Sequence, residues 1–109
     1  MKQSSELLPG TLDLLVLRTL TRGPNHGYGI AQRVKELSQD VLDVGESSLY
    51  PALQRLLLDG YVKAEWGSSA NNRRARFYTL TPAGQKHLVA ERKEFERVVS
   101  AIQLVLANA

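Results

Sequence analysis

A mostly α chain with a small β-hairpin, an α+β fold in one compact unit, is predicted by three features of this sequence. Three helical apolar patterns come first, two alternating segments around a polar loop follow, and one long helical pattern closes the chain. At 109 residues, 43% apolar and 23% charged, the composition is that of one ordinary globular domain, too short for a catalytic core plus a substrate domain. The formal charge of +3, from 14 Lys and Arg against 11 Asp and Glu, is only mildly basic, so the placement of charge carries more information than its sum. There is no cysteine, which excludes disulfides, thiolate metal sites and cysteine nucleophiles and fits a reducing compartment. The opening "MKQSSELLPG" lacks the apolar h-region of a signal peptide, and no apolar run approaches the ~20 residues that span a bilayer. A cytoplasmic location with no membrane partner is the expectation.

The first element is read from "TLDLLVLRTLTR", with Thr11 as N-cap, Asp13 in the first turn and a stop at Gly23 and Pro24. Leu12, Leu14, Leu15, Val16, Leu17 and Leu20 cover most of its circumference, so this helix is expected to be packed on more than one side. Either it is the central core helix, or its second face meets another subunit. After the turn "RGPNHGYG", the stretch "YGIAQRVKELSQ" places Ile30, Val34 and Leu37 at helical spacing and predicts an amphipathic second helix. Gly27 and Gly29 flank Tyr28 at its entry and suggest a tight approach. His26 reads as a turn residue, because the other histidine, His87, stands at no ligand spacing from it.

The third element, "SSLYPALQRLLLDGYV", has Leu49, Leu53, Leu56 and Leu57 on one side and Ser47, Pro51, Gln54, Arg55 and Leu58 on the other. With Ser47 or Ser48 as N-cap, Pro51 falls in the first turn, where its missing N–H costs little. The free N–H groups there would face outward with the positive end of the helix dipole, toward a phosphate. Beyond Gly60, "YVKAEW" alternates, with Val62, Ala64 and Trp66 sharing a face, and "ARFYTL" supplies a second strand. Trp66 is expected to pack against the core. The loop between the strands leads through Asn71 and Asn72 into Arg73, Arg74 and Arg76, so a mildly basic chain concentrates positive charge on one projecting hairpin.

Thr81 as N-cap and Pro82 at the first helical position open the last element, a helix expected to run to about Asn108. Leu88, Phe95 and Ile102 recur at intervals of seven, with Val98, Val99, Val105 and Leu106 in the same stripe, while "ERKEFER" charges the outer face. Such a seam either folds back on its own core or pairs with a second copy. A domain this small has little core for so long a helix to cover, which favours pairing.

Three helices followed by a hairpin with a basic tip is the order of a winged helix-turn-helix, whose third helix enters the major groove. The organisation is then a DNA-binding domain over 1–80 and a C-terminal dimerisation helix over 81–109, in one compact unit. The sequence resembles the PadR-like family of bacterial transcriptional regulators, and in particular its short members with a single C-terminal dimerisation helix. The resemblance rests on "HGYGI" at 26–30, "SLYPALQRLLLDGYV" at 48–62 and "RRARFYTLTPAG" at 73–84, in that order and spacing.

The resemblance implies a recognition helix that places Ser47, Ser48, Tyr50, Pro51, Gln54 and Arg55 at or near DNA, a contact from Tyr28 of the second helix, and a wing carrying Asn72, Arg73, Arg74 and Arg76. It implies a homodimer through the first and last helices, with Leu12, Leu15, Leu88, Phe95, Val98, Val99, Ile102, Val105 and Leu106 at the interface. It also implies a repressor on a roughly palindromic double-stranded DNA operator, and it admits a small hydrophobic effector whose identity nothing in the sequence names. Two positions depart from the family's pattern: many relatives have a small residue such as Gly where Ser47 stands, and often a polar or acidic one where Leu58 stands. Leu58 is therefore not assigned to DNA. The competing class is a winged-helix protein-interaction module without specific DNA binding. No enzyme is expected, since there is no catalytic, metal or cofactor constellation: two separated histidines, no Gly-rich phosphate loop and no paired carboxylates on a common face.

Overall fold

The computed structural model of the chain describes residues 10–109. They form α1 (Thr11–Leu20), β1 (Asn25–His26), α2 (Gly27–Leu37), α3 (Glu46–Leu58), β2 (Val62–Ser68), β3 (Arg74–Leu80) and α4 (Pro82–Asn108). Residues 1–9, on which the expectation about a leader segment falls, lie outside the described residues.

α1 is the central core helix. It packs against α2, α3, α4 and β3, and Leu12, Val16, Leu17 and Leu20 are buried together with Ile30, Leu49, Leu53, Leu56, Val62 and Leu88. Each such side chain contributes about 1.5–3 kcal/mol by leaving water, and one helix touching four elements explains its nearly continuous apolar circumference. The expected cap moves by one position: Gly10, in the left-handed region at φ 88, is the N-cap, and Thr11 is the first helical residue.

His26 does more than turn the chain. Its Nδ1 accepts the Gly29 N–H at 3.1 Å and so caps α2, and with Asn25 it forms β1, a two-residue strand antiparallel to β3 in the register Asn25↔Tyr78 and His26↔Phe77. The sheet order is therefore β1-β3-β2, three strands where the sequence predicted two. Two residues carry no periodicity to read, and their pairing is visible only once β3 is in place. Gly29 suits this arrangement, because a Cβ there would force the Asn25 side-chain amide to shift.

α3 also begins earlier than expected. Its N-cap is Gly45, which makes no side-chain cap, so Ser47 and Ser48 lie inside the first turn and Pro51 is the sixth helical residue counted from Glu46. The Leu49 N–H closes the first full turn on the Gly45 carbonyl at 3.0 Å. Pro51 therefore removes a bond that the Ser47 carbonyl would otherwise accept.

The hairpin closes through two backbone hydrogen bonds. The Asn72 N–H reaches the Ser69 carbonyl at 2.9 Å and the Ser69 N–H reaches the Arg73 carbonyl at 2.8 Å, while Asn72 takes the left-handed conformation at φ 58. That conformation suits asparagine better than most residues, and it completes the three-residue hairpin loop. α4 starts as expected: the Gly84 N–H donates to Thr81 Oγ1 at 3.0 Å, and the Thr81 hydroxyl donates to the Gly60 carbonyl at 2.7 Å. Gly84 lies so close to the Tyr61 carbonyl that a side chain there has no room, and His87 stacks on Tyr61 with ring centroids 4.0 Å apart. The helix is thus pinned to the domain by its first two turns. Beyond Leu88 no residue of α4 is buried, and the radius of gyration, 15.1 Å, exceeds the ~13 Å of a compact chain of this length.

Candidate nucleic-acid interface

The buried face of α3 is Leu49, Ala52, Leu53 and Leu56, and it packs toward α1, α2 and β2. Opposite it, Ser47, Pro51, Gln54 and Leu58 recur at i, i+4, i+7 and i+11 and are all exposed. They make a line of ~16 Å along the helix axis at 1.5 Å per residue. Leu58 ends that line at 76% exposure, an apolar tip that no neighbouring element covers.

Tyr50 flanks this line on the side of α2. Its ring lies against Gly27, where an added Cβ would stand 3.1 Å from Cε1, so the glycine lets the two helices meet through this tyrosine. Tyr28, one residue on, projects outward at 71% exposure and stacks at 6.5 Å on His26, which in turn meets Phe77 edge-on at 5.3 Å. Tyr28 and Tyr50 both line a cleft of about 250 Å³ between α2 and the start of α3, with Lys35, Asp43 and Glu46 at its walls. The fold thus brings together Tyr28, Tyr50 and the outward line of α3.

Two expected features differ. The first turn of α3 carries Glu46, an acid beside the positive dipole end where the serines alone suggest a phosphate cradle, and no side chain caps the helix there. Arg55 lies on the opposite flank of α3, and its Nη2 donates to Asp13 Oδ1 of α1 at 2.8 Å. It ties α3 to α1 and does not stand free beside Gln54. Ser48 is exposed on the same flank.

The hairpin carries the remaining expected residues apart from the helices. Asn72, Arg73, Arg74 and Arg76 are all exposed, and among the described residues none of the three arginines is paired with a carboxylate. Trp66 is not a core residue, contrary to expectation. The seven-residue strands outrun the core, which ends at Val62 and Tyr78, and leave the indole 62% exposed with the Arg74 guanidinium 4.5 Å from its centroid. Strand length was the available signal, since a third inward position on a hairpin this long overhangs so small a domain.

The expected interface residues of the first and last helices divide sharply. Leu12 and Leu88 belong to the chain's own core and offer nothing to a partner, and Leu15 is half-buried. Phe95, Val98, Ile102, Val105 and Leu106 are exposed, Val99 is half-buried, and Leu104 joins them as an exposed apolar residue that the heptad reading left out. Among the described residues no helix is long and apolar enough to cross a membrane, and no three His, Asp or Glu side chains gather as metal ligands.

Residues 16–90, from the middle of α1 to the base of α4, match the transcriptional regulator PadR-like family. The chain belongs to the PadR-like family of transcriptional regulators. Among its relatives, the transcriptional regulator Rv3488 of Mycobacterium tuberculosis is 34% identical over 77 residues, covering 71% of this chain and 68% of that one. A transcriptional regulator from Clostridium thermocellum shares the fold with a TM-score of 0.81 and 28% identity, over 91% of this chain and 96% of its own. A PadR family transcription regulator from Clostridium difficile follows with a TM-score of 0.75 and 25% identity, over 89% and 99%. This PadR-like regulator therefore keeps the family architecture from its first described helix into its last.

Proposed function

We propose that this PadR-like regulator binds double-stranded DNA as a homodimer and represses transcription by occupying a roughly palindromic operator. The observation that carries the reading is the pairing of one uncovered helix line, Ser47, Pro51, Gln54 and Leu58, with three arginines on a separate hairpin that have no acidic partner among the described residues. A helix fits the major groove, where side-chain amides such as that of Gln54 pair with base edges, and a basic hairpin beside it meets phosphates. Phosphate contacts set affinity and register, whereas base contacts set preference. Tyr28 and the wing residues Asn72, Arg73, Arg74 and Arg76 take the first role, and Gln54 with Ser47, Ser48, Tyr50 and Pro51 the second. Arg55, held by Asp13 at 2.8 Å, contributes through the placement of α3.

Pairing is supported by α4, whose Phe95, Val98, Ile102, Leu104, Val105 and Leu106 are exposed beyond the last buried residue, Leu88. Two copies related by a two-fold axis would present two α3 helices to half-sites about one helical turn apart, ~34 Å.

Footprinting of the purified protein on genomic fragments tests the whole reading. The expected result is a protected, two-fold symmetric site whose occupancy lowers transcription in vitro from an overlapping promoter. Arg73→Ala with Arg74→Ala should weaken binding to every sequence and flatten its salt dependence, while Gln54→Ala should change the ranking of operators. Equal loss of specific and non-specific binding on changing Gln54 removes it from the readout. A dimer that protects no site points to the protein-interaction module.

A further inference from the structure

On the hairpin, Trp66 faces the same way as Val62 and Ala64, with Arg76 directly opposite it and Arg74 opposite Ser68, one same-face step further out. Val62 is buried and Ala64 half-buried, whereas Trp66 is mostly exposed, so the indole lies past the edge of the core and apolar packing does not hold it. What it does hold is Arg74, whose Cζ is 4.5 Å from the ring centroid, and one step inward the Arg76 Cζ lies 5.9 Å from the ring of buried Tyr78. Both distances fall within the ~6 Å over which a guanidinium is attracted to a ring face. One face of the hairpin thus carries two ring–cation pairs, Arg76 on Tyr78 at the core and Arg74 on Trp66 nearer the tip.

The geometry points to Trp66 as a positioning residue of the wing, which holds the Arg74 guanidinium in place for the phosphate backbone. Attraction to the ring leaves the N–H donors of Arg74 available, and no carboxylate among the described residues takes them. A free arginine loses much rotamer freedom when it docks, and one already held over a ring loses less. This role rests on the DNA-binding reading proposed above, and its consequence is specific: the indole adds to affinity without adding to charge.

Backbone contact is independent of sequence, so the test uses the full chain and a labelled duplex of mixed sequence, titrated over a series of salt concentrations. Trp66→Ala should weaken binding about two- to fivefold per wing, or about five- to thirtyfold for a dimer using both, which is the strength of an exposed cation–aromatic pair. The slope against salt should stay that of the wild type. Arg74→Ala should weaken binding and lower that slope by about one per wing. The double variant should bind no more weakly than Arg74→Ala alone, because Trp66 acts through that arginine. Trp66→Phe should recover most of the loss and Trp66→Leu should not. As the chain has one tryptophan, its emission reports the wing alone and should change when the duplex binds.

Wild-type affinity for Trp66→Ala, additive losses in the double variant, or recovery by Trp66→Leu equal to that by Trp66→Phe would each overturn the positioning role while leaving DNA binding in place. A wild-type chain that does not bind the duplex overturns the DNA-binding reading, and this role with it.

Discussion

At the scale of single residues, the contacts that matter most join elements distant in the chain. Arg55 and Asp13 form an ion pair whose side chains are 54% and 23% exposed, so its net worth is in the surface range, about 0.2–1 kcal/mol. Its effect on binding should exceed its effect on folding. Asp13→Asn removes an acid beside α3 and releases Arg55, and is expected to cost less than about 1 kcal/mol in urea denaturation while tightening non-specific duplex binding at low salt. Weaker duplex binding by Asp13→Asn would mean that Arg55 works best where Asp13 holds it. Arg55 was legible as an outward residue of its helix, but its partner was not, because a wheel drawn for one helix says nothing about which neighbour lies along each flank. Trp66 departs from its expected place in the core for a related reason: alternation assigns a side of the sheet, and only the extent of the core decides whether that side is covered at a given register.

At the scale of elements, the helices and the hairpin were legible because each repeats its pattern over several turns or pairs. Thr81 and Pro82 signalled the start of α4 correctly, since a capping hydroxyl and a first-position proline act locally. The start of α3 was misplaced because serine is a stronger cap than glycine in isolation, yet the chain uses Gly45, in extended conformation at ψ 158, to enter the helix. That shift changes the meaning of Pro51. In the first turn it would have been neutral, whereas as the sixth residue of α3 it deprives the Ser47 carbonyl of its helical donor. Pro51→Ala is therefore expected to stabilise the fold by about 1–3 kcal/mol, seen as a higher urea midpoint with an unchanged slope. The same change should alter operator preference, because Ser47 and Gln54 stand on either side of the proline along the outward line. A midpoint equal to that of the wild type would show that solvent already satisfies the Ser47 carbonyl and that the ring strains nothing.

At the scale of the whole molecule, α4 carries an apolar surface that the single chain leaves exposed. Its 27 residues are held to the domain only near Gly84 and Leu88, and the remaining turns carry Phe95, Val98, Ile102, Leu104, Val105 and Leu106 to solvent. Isolated helices of ~12–15 residues are marginal in water, and burial of an apolar face normally supplies what propensity does not. Charged pairs such as Arg97 with Glu94, at 2.6 Å on the exposed face, add little to that balance. A second copy would cover the seam at heptad spacing, with Phe95 and Ile102 at one seam position and Val98 and Val105 at the other. Ile102→Glu places a charge in the middle of that seam without touching the core of the winged domain. On the proposed pairing, sedimentation equilibrium should report 12.1 kDa for this variant and twice that value for the wild type. Helical signal should fall as well, because the outer turns of α4 would lose the contacts that keep them wound, while the urea transition of the winged domain persists. If two copies bind one operator as proposed, its affinity for the variant should collapse toward that of one half-site, since two heads would no longer share one binding event. A variant that keeps the wild-type mass would place the subunit contact elsewhere, with the half-buried face of Leu14 and Leu15 on α1 as the next surface to change.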